Sequence, residues 1–159
     1  MYIIFDTETT GLPKNFKAPI TDTDNWPRLV QLAWQIHDKK GDLVKVENYI
    51  IKPEGFTIPY NSQKIHGIST ERALKQGVDL DMVLKVFQKD LETCQISIGH
   101  NISFDNAIMG CEFYRRNIEN SVESIKSVDT KDESIDFCAL PGGKGGRFKW
   151  PTLSELYIK

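Results

Sequence analysis

Two short apolar runs, each ending among acidic and polar side chains, constrain this chain more than any other feature. Tyr2-Ile3-Ile4-Phe5 leads directly into Asp6-Thr7-Glu8-Thr9-Thr10-Gly11. Ile96-Ser97-Ile98-Gly99 leads into His100-Asn101-Ile102-Ser103-Phe104-Asp105. A run of four mostly apolar residues with polar borders suits a central strand buried on both faces. Ligands of α/β sheets gather beyond the carboxyl ends of such strands, so two acid-bearing ends could converge on one site.

The segments between them supply the rest of a sheet. Leu29–Ile36 is rich in strand formers, the Lys39-Lys40-Gly41-Asp42 turn follows, and Leu43–Ile51 resumes, which predicts an antiparallel hairpin. Short helical turns are expected over 61–75. Val83, Val86, Phe87 and Leu91 recur at helical spacing over 79–94, with Asp79 as the N-cap. A further helix is expected over 103–117, a weak fifth strand over 124–128, and a short helix within 130–140. Pro13 to Pro27 and the Gly142–Gly146 stretch read as loops. Thr152-Leu153-Ser154-Glu155 has the pattern of a capping box opening a last helix. Three strands in a meander, followed by helix, strand, helix and strand, predict a mixed α/β architecture: a five-stranded sheet flanked by helices, antiparallel over its first three strands and parallel thereafter.

Composition narrows the class. A chain of 159 residues, 40% hydrophobic and 26% charged, fits one soluble globular domain. Its net charge of -2 gives no general attraction to phosphate, so contact with nucleic acid must come from a local basic rim or from bound cations. Cys94, Cys111 and Cys138 form no C-x-x-C pair, which argues against a zinc site or a disulfide framework and suits a reducing cytoplasm. No apolar run reaches 18 residues and no secretory signal opens the chain. The expected location is therefore cytoplasmic, with no membrane association.

In a strand, Asp6 and Glu8 would share one side. Two like charges held close repel each other, and a divalent cation would relieve the repulsion. Ligands that are all oxygen suit Mg²⁺ or Mn²⁺. Taken alone, however, D-x-E more often marks a solvated strand end.

Together, "FDTETTG" and "GHNISFDNAIM" resemble the first two motifs of the DnaQ-like DEDD 3′→5′ exonucleases. Pro27–Ala33 is similar to that family's second strand, and Ile65-His66-Gly67-Ile68 to its I-H-G-I segment. The resemblance covers nearly the whole chain. It implies a ribonuclease H-like fold, two Mg²⁺ or Mn²⁺ ions about 3.5–4 Å apart clamping the scissile phosphate, and release of nucleoside 5′-monophosphates from a 3′ end. Asp6, Glu8 and Asp105 match the catalytic metal-ligating acids. Thr9 and Leu12 would line the terminal nucleotide pocket, His66 would meet phosphate or sugar, and Phe104 would wedge near the 3′ end or fill the core. The implied partners are the single-stranded 3′ end of DNA, or of RNA in an alternative reading, and a DNA polymerase. A nuclease-like module without catalysis is the other alternative.

The family's histidine branch also needs a fourth acid and a general base, as H-x4-D. His100 and Asp105 have that spacing but occupy the second motif, and no tyrosine has an aspartate four residues on. The expectation is a single exonuclease domain over 1–159 that lacks its third motif and C-terminal helix through truncation, and is therefore inactive or impaired.

Other features have plainer expectations. His100 should order the start of the following helix and His37 should be solvated. Trp26, Trp34 and Trp150 could stack on bases but read first as core, and Asp129, Asp132, Glu133 and Asp136 should form a solvated acidic patch. The "GGKGG" loop lacks the G-K-[ST] ending of a P-loop. It reads as a surface loop, or with Arg147 and Lys149 as a basic rim beside nucleic acid.

Overall fold

The computed structural model describes residues 1–159. Its strands are β1 Tyr2–Thr9, β2 Leu29–His37, β3 Leu43–Ile50, β4 Ile96–Gly99 and β5 Lys126–Asp129. They form one sheet in the order β3-β2-β1-β4-β5. β1 pairs antiparallel with β2, and β2 with β3, while β4 runs parallel to both β1 and β5. The helices are α1 Tyr60–His66, α2 Thr70–Gln76, α3 Leu80–Leu91, α4 Ile102–Arg116, α5 Thr130–Glu133, α6 Ile135–Cys138 and α7 Leu153–Ile158. None is long and apolar enough to cross a membrane.

The main core lies between one face of the sheet and helices α3 and α4. Ile3 and Phe5 of β1 and Leu32 and Trp34 of β2 meet Val83, Leu84 and Phe87 of α3, and Ile108 and Phe113 of α4. Phe87 is the centre of an aromatic knot, with ring centroids 5.1 Å from Phe5 and 5.3 Å from Trp34, both edge-on. The Asp79 side chain accepts a 2.9 Å hydrogen bond from the Met82 amide and caps α3 as expected.

Two details of β1 depart from the sequence reading. The strand continues through Asp6 and Glu8 to Thr9, because its ladder with β2 runs on to Glu8↔Gln31 before the register shifts. The two acids are therefore strand residues sharing one face, as period-two alternation predicts, and only the extent of the strand differs. The strand is also buried on one face only. Ile3, Phe5, Thr7 and Thr9 face inward, while Ile4 and Asp6 are exposed and Glu8 is half-buried. Helices α3 and α4 cover the first face, and α7, none of whose residues is buried, covers little of the second.

Candidate active site at the ends of the first and fourth strands

Gly99 ends β4 where a side chain would not fit. A Cβ there would lie 2.8 Å from the Ile102 side chain and 3.2 Å from the Phe5 carbonyl. This close approach lets α4 begin directly beside β1. Asn101 makes the turn in the left-handed conformation (φ 72°), and its amide donates to Asp129 Oδ1 at 2.8 Å. One turn into α4, Asp105 is only 3% exposed and lies beneath β1. Its Oδ1 accepts hydrogen bonds from the Thr7 amide at 2.9 Å and the Thr7 hydroxyl at 2.6 Å.

Electrostatically, Asp6 is the hub. Burial pushes the Asp105 carboxyl up to about 7; the Thr7 hydroxyl opposes that shift and the Asp6 charge adds to it. Glu8 is also raised, first by burial and then by the Asp6 charge. Asp6 reaches solvent, yet the protein packed around it still raises its carboxyl, against the Thr7 amide and the positive character of His100. Three carboxyls thus share one strained electrostatic environment. No three His, Cys, Asp or Glu side chains are already arranged as a ready-made metal cage. The donor set is nonetheless all oxygen, and its raised carboxyls would gain most from a nearby cation.

The other anticipated residues surround this hub unevenly. Thr9 is buried, and its hydroxyl donates to the Gly11 carbonyl at 2.7 Å, shaping the turn after β1. Leu12 projects from that turn and is 74% exposed. Phe104 is half-buried against the core and tilts toward Phe16, with centroids 6.5 Å apart. His66 Nδ1 accepts from the Ile68 amide at 3.1 Å, so the neutral ring carries its proton on Nε2. That buried nitrogen has no hydrogen-bond partner; the Thr9 carbonyl raises the ring's pKa, but burial lowers it more.

Several plainer expectations need correction. Trp26 and Trp34 are core, but Trp150 is exposed, because the segment around it lies on the surface. His37 is not simply solvated: it stacks on Tyr2, with centroids 5.4 Å apart. Asp129 caps α5 and anchors the Asn101 turn, so it does not belong to a free acidic patch. His100 does organise the turn, with Nδ1 3.1 Å from the Thr130 hydroxyl and Nε2 donating to the Pro151 carbonyl at 3.0 Å.

Glu112 was not legible beforehand. It is fully buried two turns after Asp105 on α4, and its Oε1 meets the Leu29 amide and Arg28 Nε at 2.9 Å each, and Arg115 at 3.0 Å. The signal in the sequence was the Glu112–Arg115 spacing on one helix face, but long-range partners such as Arg28 leave no periodic trace.

This sheet order, with helices on its flanks, is a ribonuclease H-like fold. Two crystal structures of E. coli Exonuclease I share it. The one in complex with a dT13 oligonucleotide aligns over 94% of this chain and 33% of its own, with a TM-score of 0.71 and 19% identity. The one in complex with a dA16 oligonucleotide aligns over 99% and 35%, with a TM-score of 0.74 and 18% identity. The profile of the RNase T exonuclease family matches residues 3–140, and the chain belongs to that family of DnaQ-like DEDD exonucleases. Its relatives include the PolC-type DNA polymerase III of Mycoplasmopsis pulmonis, 28% identical over 129 residues, and that of Streptococcus pyogenes serotype M18, 32% identical over 129 residues. Each alignment covers 81% of this chain and 8% of the polymerase, so the chain spans a small part of those relatives' length.

Proposed function

We propose that the chain is the metal-holding part of a 3′→5′ exonuclease that removes nucleoside 5′-monophosphates from single-stranded DNA ends, in association with a DNA polymerase. The observation that carries this reading is the seating of Asp105 against Thr7, the residue between Asp6 and Glu8 on β1, in a family of exonucleases. Asp6, Glu8 and Asp105 would hold Mg²⁺ or Mn²⁺. When bound, the cations supply Lewis-acid stabilisation of phosphate charge and a more acidic attacking water.

The protein's own residues do the positioning. Thr7 fixes Asp105 through two hydrogen bonds, so that carboxylate keeps its place whether or not it carries a proton. Exposed Leu12 and the Thr9 turn would line the terminal-nucleotide pocket, and half-buried Phe104 would wedge near the 3′ end. His66, beside the Thr9 carbonyl, would meet the phosphate or sugar of the terminal nucleotide.

These 159 residues supply three of the family's four acids and no general base from an H-x4-D motif. A positioned base is worth about 10²–10⁴-fold, so hydrolysis by these residues alone should be weak. The test is a 5′-labelled DNA oligonucleotide incubated with high concentrations of protein and Mn²⁺, with an RNA oligonucleotide in parallel. Slow shortening of DNA from its 3′ end, abolished by EDTA and reduced about 100-fold or more in Asp6→Ala, is expected. Cleavage indifferent to EDTA or to Asp6→Ala contradicts the reading. Faster shortening of RNA reassigns the substrate, and fast turnover contradicts the expected weak hydrolysis.

A further inference from the structure

The segment after α6 carries residues that the carboxylate site does not use. Lys144, Arg147, Phe148, Lys149 and Trp150 place cations and aromatics within seven residues. Gly143 forces this segment to double back. A Cβ there would lie 2.3 Å from the Phe148 carbonyl, and its amide donates to the Arg147 carbonyl at 3.1 Å. The Lys149 amide donates to the Leu140 carbonyl at 2.9 Å, closing the turn. Beneath it lies an open cavity of about 780 Å³ whose lining includes Lys144, Arg147, Phe148 and Trp150.

Burial would be the ordinary fate of these rings, and both avoid it. Trp150 is 62% exposed and Phe148 46%. The Lys131 ammonium lies 5.2 Å from the centre of the Trp150 ring, which fixes the indole and leaves the rest of it open. Lys149 is neutralised by Glu155 at 2.6 Å, and Asp136 is the acid on the cavity wall. Lys144 and Arg147 form no ion pair. The segment is also tied to the acidic site. The Pro151 carbonyl, next to Trp150, accepts from His100, which lines one cavity with Asp6. An exposed ring with free cations beside it, next to a cluster of acids, suits a ligand with alternating flat apolar and anionic parts.

We propose that residues 144–150 form a contact for single-stranded nucleic acid, separate from the terminal-nucleotide pocket. Phe148 and Trp150 stack on bases, and Lys144 and Arg147 meet the backbone phosphates. Stacking accepts any base and needs a single strand, because the bases of a duplex already stack on one another. The proposal rests on the exonuclease reading in one respect: the strand held here is the one whose end reaches Asp6.

Trp150 provides the readout, since Trp26 and Trp34 are buried. Intrinsic fluorescence of the full chain is titrated with a dT12 oligonucleotide in EDTA, so that no hydrolysis occurs. Quenching is expected. It should disappear in Trp150→Leu, shift to about 5-fold or more higher oligonucleotide concentration in Phe148→Ala, and lose about two units of log–log salt slope in the Lys144→Glu/Arg147→Glu double variant. An absent quench, a quench that survives in Trp150→Leu, or equal quenching by inorganic polyphosphate, which has charge but no bases, overturns the proposal. Its failure is distinguishable from failure of the exonuclease reading. Metal-dependent shortening with an unchanged KM in Phe148→Ala/Trp150→Ala removes this contact and leaves the nuclease standing. Intact quenching without any hydrolysis does the reverse.

Discussion

Strand β1 and the segment 141–159 meet at His100 and are built on opposite principles. In β1, alternate residues enter the core, so the acids on its other face are held by a backbone that cannot shift without opening the contacts of Phe5 with Phe87. In 141–159 almost nothing is buried, and position depends on a few polar ties: His100 to Pro151, Lys149 to Glu155, and the Thr152–Glu155 capping box. Carboxylates that must stay in register need the first kind of support. A surface that adapts to a passing strand needs only the second.

That contrast can be broken most severely at Glu112. Glu112→Ala leaves Arg28 and Arg115 beside the core without their carboxylate and should cost about 3–5 kcal/mol in urea unfolding. A loss below about 1 kcal/mol would mean that α4 and the β2 entry hold together by apolar contacts alone.

Next in size is a pH effect. Burial raises Asp105 from 3.8 to about 7, so between those values the native state keeps a proton that the unfolded chain has released. Its contribution is complete below pH 3.8 and is lost as pH rises through 7, on the order of 4 kcal/mol in all. Asp105→Asn should flatten this slope in pH-dependent denaturation, and Mg²⁺ should restore stability to the wild type at pH 8.

A smaller change sharpens the positioning argument. Thr7→Val removes the 2.6 Å hydroxyl bond, raises Asp105 further, and should weaken Mn²⁺ binding at pH 7 by about 10–100-fold with the fold intact. Smallest is Thr152→Ala, which frees the start of α7 at a cost of about 1 kcal/mol locally. Because α7 buries none of its residues, the midpoint of the main unfolding transition should stay in place.

Much of this was legible in the sequence, for reasons that differ by region. The β2–β3 hairpin, the α3 stripe of Val83, Phe87 and Leu91, and β4 follow local periodicity and turn chemistry, which a single chain displays openly. The extent of β1 did not, because its last residues are polar and owe their strand conformation to pairing with Gln31 and Leu32. The acids at positions 6, 8 and 105 were legible as a set only through the resemblance of two motifs to those of the exonuclease family. Their sharing of one electrostatic hub depends on Gly99 admitting α4 against β1, and the burial of Glu112 depends on a partner 84 residues away. Exposed Trp150 reversed the usual expectation for tryptophan, since the rule that buries large aromatics assumes a strand or helix face to bury them on.

The central claim is that β1 and α4 together hold a divalent cation, and anomalous scattering at the manganese edge from crystals grown with Mn²⁺ addresses it directly. The account predicts a peak among Asp6, Glu8 and Asp105 that vanishes in Asp6→Ala. A peak at any other carboxylates, or none at high Mn²⁺ concentration, would contradict it.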